Sequence, residues 1–168
     1  MNTLQQWDCC PEFIDIDDTK GSIRLLKCDD LYAVRGTVSN AKLEDIKMRL
    51  TGDGVSILRG TPSSELTSDV DLLPVYAASK DSTPAVVTER VFLRLDEGTT
   101  IDSIRGDVEA LDFHIDDIPA YAPNCAWLKP ASGHVDEALS KLDMLRALPR
   151  VAHAEPQLLR PRGWKGVT

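Results

Sequence analysis

Apolar and polar positions alternate most clearly between Arg90 and Glu155. In "RVFLRLDEG", Val91, Leu93 and Leu95 alternate with Phe92 and Arg94, which predicts a strand with one strongly apolar face. Ile101, Ile104, Val108 and Leu111 then recur at helical spacing, behind Thr99 or Thr100 as a cap. "FHIDDI" predicts a short strand, "YAPN" a turn, and "CAWLKP" a strand closed by Pro130. Val135, Ala138, Leu139, Leu142 and Leu145 make the inward stripe of a second helix, opened at Ser132 or Gly133 and stopped near Pro149. "VAHAE" is the last strand. The order is strand, helix, strand, strand, helix, strand.

That order has a preferred packing. Each strand–helix–strand crossover is right-handed, so both helices land on one face of a single antiparallel sheet. The expected fold class is α+β, a ferredoxin-like βαββαβ antiparallel sandwich over residues 73–155 whose other sheet face is bare. A bare face is either a docking surface or a solvated one.

The first half is less regular. Residues 1–21, acidic and without period, read as a flexible arm. "SIRLLKC" and "LYAVRG" predict two strands separated by Asp29 and Asp30. In "SNAKLEDIKMRL", Leu43, Ile46 and Leu50 fit a helix capped by Ser39 or Asn40 and stopped by Gly52 and Gly54. "VSILRG" resumes as a strand, so residues 22–72 are expected to form a small β-α-β unit. "TPSSELTSDV" is polar and turn-forming, and "KDSTPAVVTE" reads as a linker or hairpin loop. Residues 156–168 read as an extended C-terminal tail.

Composition narrows the function classes. The chain has 168 residues and a net charge of −8, which argues against a nucleic-acid partner bound by phosphate neutralisation. No stretch approaches the ~20 apolar residues of a membrane span. "MNTLQQWDCCPEFIDIDD" carries neither the basic region nor the apolar run of a secretory leader, so the expected location is cytoplasmic. Cys9, Cys10, Cys28 and Cys125 fit no zinc template and read as reduced thiols.

Catalysis needs a constellation, and no nucleophile elbow, zinc-protease helix, phosphate-binding loop or dinucleotide turn occurs. The expectation is a chain that is not an enzyme and takes no cofactor or metal. His114 and His153 fall in predicted strands of one sheet, so a metal or acid–base pair there is the competing reading to exposed strand histidines.

Four segments, in order, carry a resemblance: "PVYAASKDSTPAVVTERVFLRLDEGTT", "IDSIRGDVEALDFHI", "PNCAWLKP" and "ALSKLDMLRALPRVAHAEPQ". Over residues 73–162 the chain resembles the N-terminal pro-region of subtilisin-like serine proteases, the inhibitor I9-type propeptides. The resemblance implies an inhibitor and intramolecular chaperone whose partner, in cis or in trans, is a subtilisin-like serine protease. It implies that a C-terminal segment of Pro156, Gln157, Leu158, Leu159, Arg160 and Arg162 lies in the protease cleft like a substrate. It also implies that the bare sheet face docks on the protease, with Asp116 and Asp117 capping protease helices and Phe92 and Trp127 as aromatic anchors. The protease domain itself is not in this sequence. The alternative is a non-catalytic ferredoxin-like regulatory or ligand-binding module.

Overall fold

Leu4, Trp7 and Cys10 recur every third residue, and they form the inner side of a helix and its end. The structure, a computed structural model, describes residues 3–18, 21–38, 40–63 and 71–161. It is mixed α+β with mostly antiparallel sheets. It contains two units, Met1–Thr88 with Leu158–Thr168, and Glu89–Gln157. The chain passes from one to the other inside a single strand, not at the expected boundary near residue 72.

In the first unit, helix α1 (Thr3–Cys9) precedes strands β1 (Phe13–Asp18) and β2 (Gly21–Lys27), which pair antiparallel. The N-terminal residues are therefore not a loose arm. Ile14 and Ile16 are buried and alternate with Asp15 and Asp17, a period-two pattern that the acidity of the segment masked. β3 (Leu31–Arg35), β4 (Ile46–Leu50), β5 (Val55–Arg59) and β6 (Asp71–Leu73) form a second sheet in the order β4-β5-β3-β6. Trp7 of α1 packs with Tyr32, Val34, Leu58 and Leu72 on one face of that sheet. Ala33, Ile57 and Leu73, aligned on the other face, are buried as well, so both faces are covered.

The helix expected over residues 40–50 is not there. A 3-10 turn (Asn40–Asp45) leads into β4, so residues 22–60 are not β-α-β. Ile46, Met48 and Leu50 alternate with exposed Lys47 and Arg49, and this period-two face outcompetes the sparser helical spacing. Ser39, one of the two expected caps, lies outside the described residues. Strand β7 (Val75–Ala77) pairs with β2 and with the start of β8 (Ala85–Leu95). Ala85, Val86, Val87 and Thr88 are buried, so half of the expected linker is strand. Their apolar run reflects burial on both sides, which leaves no alternation to read.

In the second unit the one helix expected between Ser132 and Pro149 is divided in two at Lys141. After β8 come a 3-10 turn (Ile101–Ile104) continuing into α2 (Arg105–Ala110), then β9 (Phe113–Asp117) and β10 (Cys125–Pro130). Helices α3 (Val135–Ser140) and α4 (Leu142–Arg146) lead to β11 (Val151–Leu159). Val91, Leu93, Leu95, Leu128 and Phe113 are buried on the sheet, and Ile101, Ile104, Val108, Val135, Ala138, Leu139, Leu142 and Leu145 on the helices. β10 pairs with β8 over Val91–Arg94 and, on its other side, with β9. β11 also pairs with β8, and the Asp96 amide donates to the Arg150 carbonyl at 2.8 Å where β11 begins. Since β10 already occupies one edge of β8 there, β11 takes the other, and the strand order is β11-β8-β10-β9. The Lys141 ammonium, 2.8 Å away, and the Ser132 hydroxyl hold the Glu137 carboxyl below its ordinary value and tie down the start of α3.

Among the described residues, two that are not glycine sit at left-handed backbone, Asp112 (φ 63°) shortly after α2 and Arg150 (φ 68°) directly before β11. In both, the Cβ crowds the following carbonyl at a cost of roughly 1–2 kcal/mol, but the short polar side chain of Asp can offset part of it by local hydrogen bonding and that of Arg does not. Arg150→Gly is therefore expected to stabilise the second unit by about 1 kcal/mol, after allowing for the extra freedom of Gly in the unfolded chain. Asp112→Gly should gain less. Urea melts of both variants check this ranking, and a destabilised Arg150→Gly would contradict it.

Candidate functional site

Alternation along β8 turns Arg90, Phe92 and Arg94 away from the helices, and β10 adds Trp127 and Lys129 to the same face. Phe92 and Trp127 are direct partners in register. Their rings meet edge to face with centroids 5.1 Å apart, the arrangement that aromatic quadrupoles favour. The Arg90 guanidinium lies over the Trp127 ring, 4.6 Å from its centroid.

Asp116 completes the cluster because of a bulge. Trp127 pairs with Asp117 and the next residue, Leu128, pairs with Ile115, which leaves Asp116 as an extra residue of β9. Bulges re-aim side chains. Here the carboxylate meets Arg90 Nη2 at 3.1 Å and Lys129 Nζ at 3.8 Å. These groups are each about one-third exposed, so each pair contributes roughly 0.5 kcal/mol. Sequence reasoning missed Arg90 and Lys129 as members of the face, although their places two residues from Phe92 and Trp127 put them there.

The structure thus separates the two aspartates expected to act together. Asp116 is engaged by cations of its own sheet, whereas Asp117 is exposed and has no ion pair among the described residues. Phe92 and Trp127 are half-buried and touch each other.

The C-terminal segment is also divided. Ala154 and Pro156 are both buried, continuing one inward face, so β11 runs to Leu159 instead of ending at Glu155. Pro is tolerated there because an edge strand can do without one backbone donor. Pro156, Gln157, Leu158 and Leu159 are strand residues, not tail. Arg160 is exposed beyond the strand, and Arg162 lies outside the described residues.

No protein family, curated protein or solved structure matches this chain.

The two strand histidines do not come together. His114 on β9 and His153 on β11 are at opposite edges of the second unit's sheet, about 14 Å apart by strand spacing, too far for a shared metal or proton. No disulfide joins the cysteines, and Cys9 and Cys10 are not bridged to each other. The first unit holds a cavity of about 490 Å³ whose lining includes Leu26, Cys28, Asp30, Lys47 and Lys80. Burial and the neighbouring Asp30 push the Cys28 thiol up, so it stays protonated and is a poor nucleophile. Among the described residues no helix is long and apolar enough to cross a membrane.

Proposed function

We propose that this chain is a pro-region-type inhibitor and folding aid of a subtilisin-like serine protease. The observation that carries the reading is the second unit: a β-α-β-β-α-β order, paired as β11-β8-β10-β9 and closing on "VAHAEPQLL". We read this unit as a ferredoxin-like sandwich with its helices on one side. The opposite face, with the Phe92–Trp127 pair and Arg90, is the docking surface. An aromatic pair under a guanidinium suits such a role, since Trp, Tyr and Arg dominate interface energies.

Two changes follow for the mechanism. The cleft-binding segment begins at Arg160, after the strand, with Leu158 and Leu159 as its rigid lead-in. An extended segment leaving a fixed strand needs little ordering before it adds to the edge strands of a protease cleft. Of the acidic pair, exposed Asp117 is in this reading the one that caps a protease helix, whose N-terminal amides favour a carboxylate. Asp116 holds the docking face together. The chain performs no chemistry of its own in this role.

The test is to titrate the full chain into the subtilisin-like serine proteases of the same source, reading hydrolysis of a chromogenic peptide. Competitive inhibition, with faster refolding of the denatured protease when the chain is added, is the expected result. A chain that does neither overturns the proposal.

A further inference from the structure

The loop between β9 and β10 carries Tyr121 at 91 % exposure, the most exposed of the large apolar side chains described. A single exposed aromatic is ordinary. The loop that presents it is less so. The Ala122 amide donates to the Pro119 carbonyl at 3.0 Å, closing a turn with Ala120 and Tyr121 at its centre. The Cys125 amide donates to the Ala122 carbonyl at 3.0 Å, and the Ile101 amide to the Pro123 carbonyl at 3.1 Å. Asn124 is fastened twice to Leu95: its carbonyl accepts from the Leu95 amide at 2.8 Å, and its side-chain amide donates to the Leu95 carbonyl at 3.0 Å. Pro119 and Pro123 stiffen the loop at either side, and Ala120 and Ala122 keep the flanks of the ring low.

We infer that Tyr121 is an anchor residue that enters a pocket of the protease outside its catalytic cleft, and this rests on the proposed function above. The ordering cost of the loop is met when the unit folds, so burying the ring on a partner is opposed by little further entropy. The same hairpin bears Asp116, Asp117 and Trp127, so a body seated on the docking face reaches the loop. Within this unit the chain runs on toward the cleft segment from the far end of the sheet, at Gln157. β11 starts beside the loop's end of the sheet and runs away from it, roughly 20 Å over its residues 151–157. Tyr121 therefore makes a second, separate contact. A pocket that fits it is apolar along its walls with a hydrogen-bonding group at its base for the phenol.

Burial makes the test selective. Of the three tyrosines, Tyr32 is 1 % and Tyr76 0 % exposed. Burial also pushes the phenols of Tyr32 and Tyr76 up, away from the reactive phenolate. Tetranitromethane should therefore nitrate Tyr121 in the isolated full chain, read by peptide mass spectrometry. In the complex with the protease that the chain inhibits, Tyr121 should be protected. Tyr121→Ala should weaken inhibition by about ten- to a hundredfold, mainly through faster dissociation, with an unchanged melting temperature. Tyr121→Phe should keep most of the affinity. If the parent chain inhibits but Tyr121 is nitrated equally in the complex, or Tyr121→Ala inhibits within about twofold of the parent, the anchor is disproved and the proposed function stands. If the parent chain inhibits no protease, the functional reading fails and the anchor with it.

Discussion

Ending the chain after Leu159 is expected to weaken protease inhibition by at least about a hundredfold and to leave the melting temperature unchanged. The strand stays whole in that variant, because β11 closes at Leu159. What is lost is the segment from Arg160 onward, whose first residue is already exposed. Three backbone hydrogen bonds to a cleft edge, each contributing about 1 kcal/mol net, account for a loss of this size. Ending the chain after Glu155 is a different experiment. It removes buried Pro156 and three further strand residues, so inhibition and stability should fall together. Inhibition constants and thermal melts of both variants separate the two effects. If the chain ending at Leu159 inhibits like the parent, the segment beyond it has no part in the mechanism.

The largest stability effect is expected at Leu128. It is fully buried on β10, opposite Val91 of β8 and Ile115 of β9, with α3 packed against its strand. Leu128→Ala leaves a cavity walled by two strands and a helix that cannot all relax inward, which costs about 3–5 kcal/mol. Against a total of about 5–15 kcal/mol for a domain, that leaves the second unit close to unfolding at physiological temperature. Leu26→Ala, at a position 51 % exposed, should cost less than about 1 kcal/mol. Urea denaturation of the two variants measures the difference. A loss at Leu128 no larger than at Leu26 would mean that β10 is not the centre of this core.

The second unit was legible because its elements are simple. Val91, Leu93 and Leu95 declare a strand covered on one side, and the stripe from Val135 to Leu145 declares the helical face that covers it. Each pattern reports a local period and one buried face, which neighbouring residues can specify without help from the rest of the chain. Where two periods competed, as over Ile46–Leu50, local pattern could not decide. A strand there needs β5 beside it, and that partner is set by long-range pairing.

Local pattern alone was enough for the strand over Val91–Leu95, for the apolar stripes that line the core of the second unit, and for the turning of Phe92 away from that core. Long-range pairing set the unit boundary inside β8, carried β11 with its Pro156 through to Leu159, and drew Asp116 but not Asp117 to Arg90 and Lys129. These depend on register, edge position and a bulge, which arise between strands distant in sequence and leave no period along any one of them.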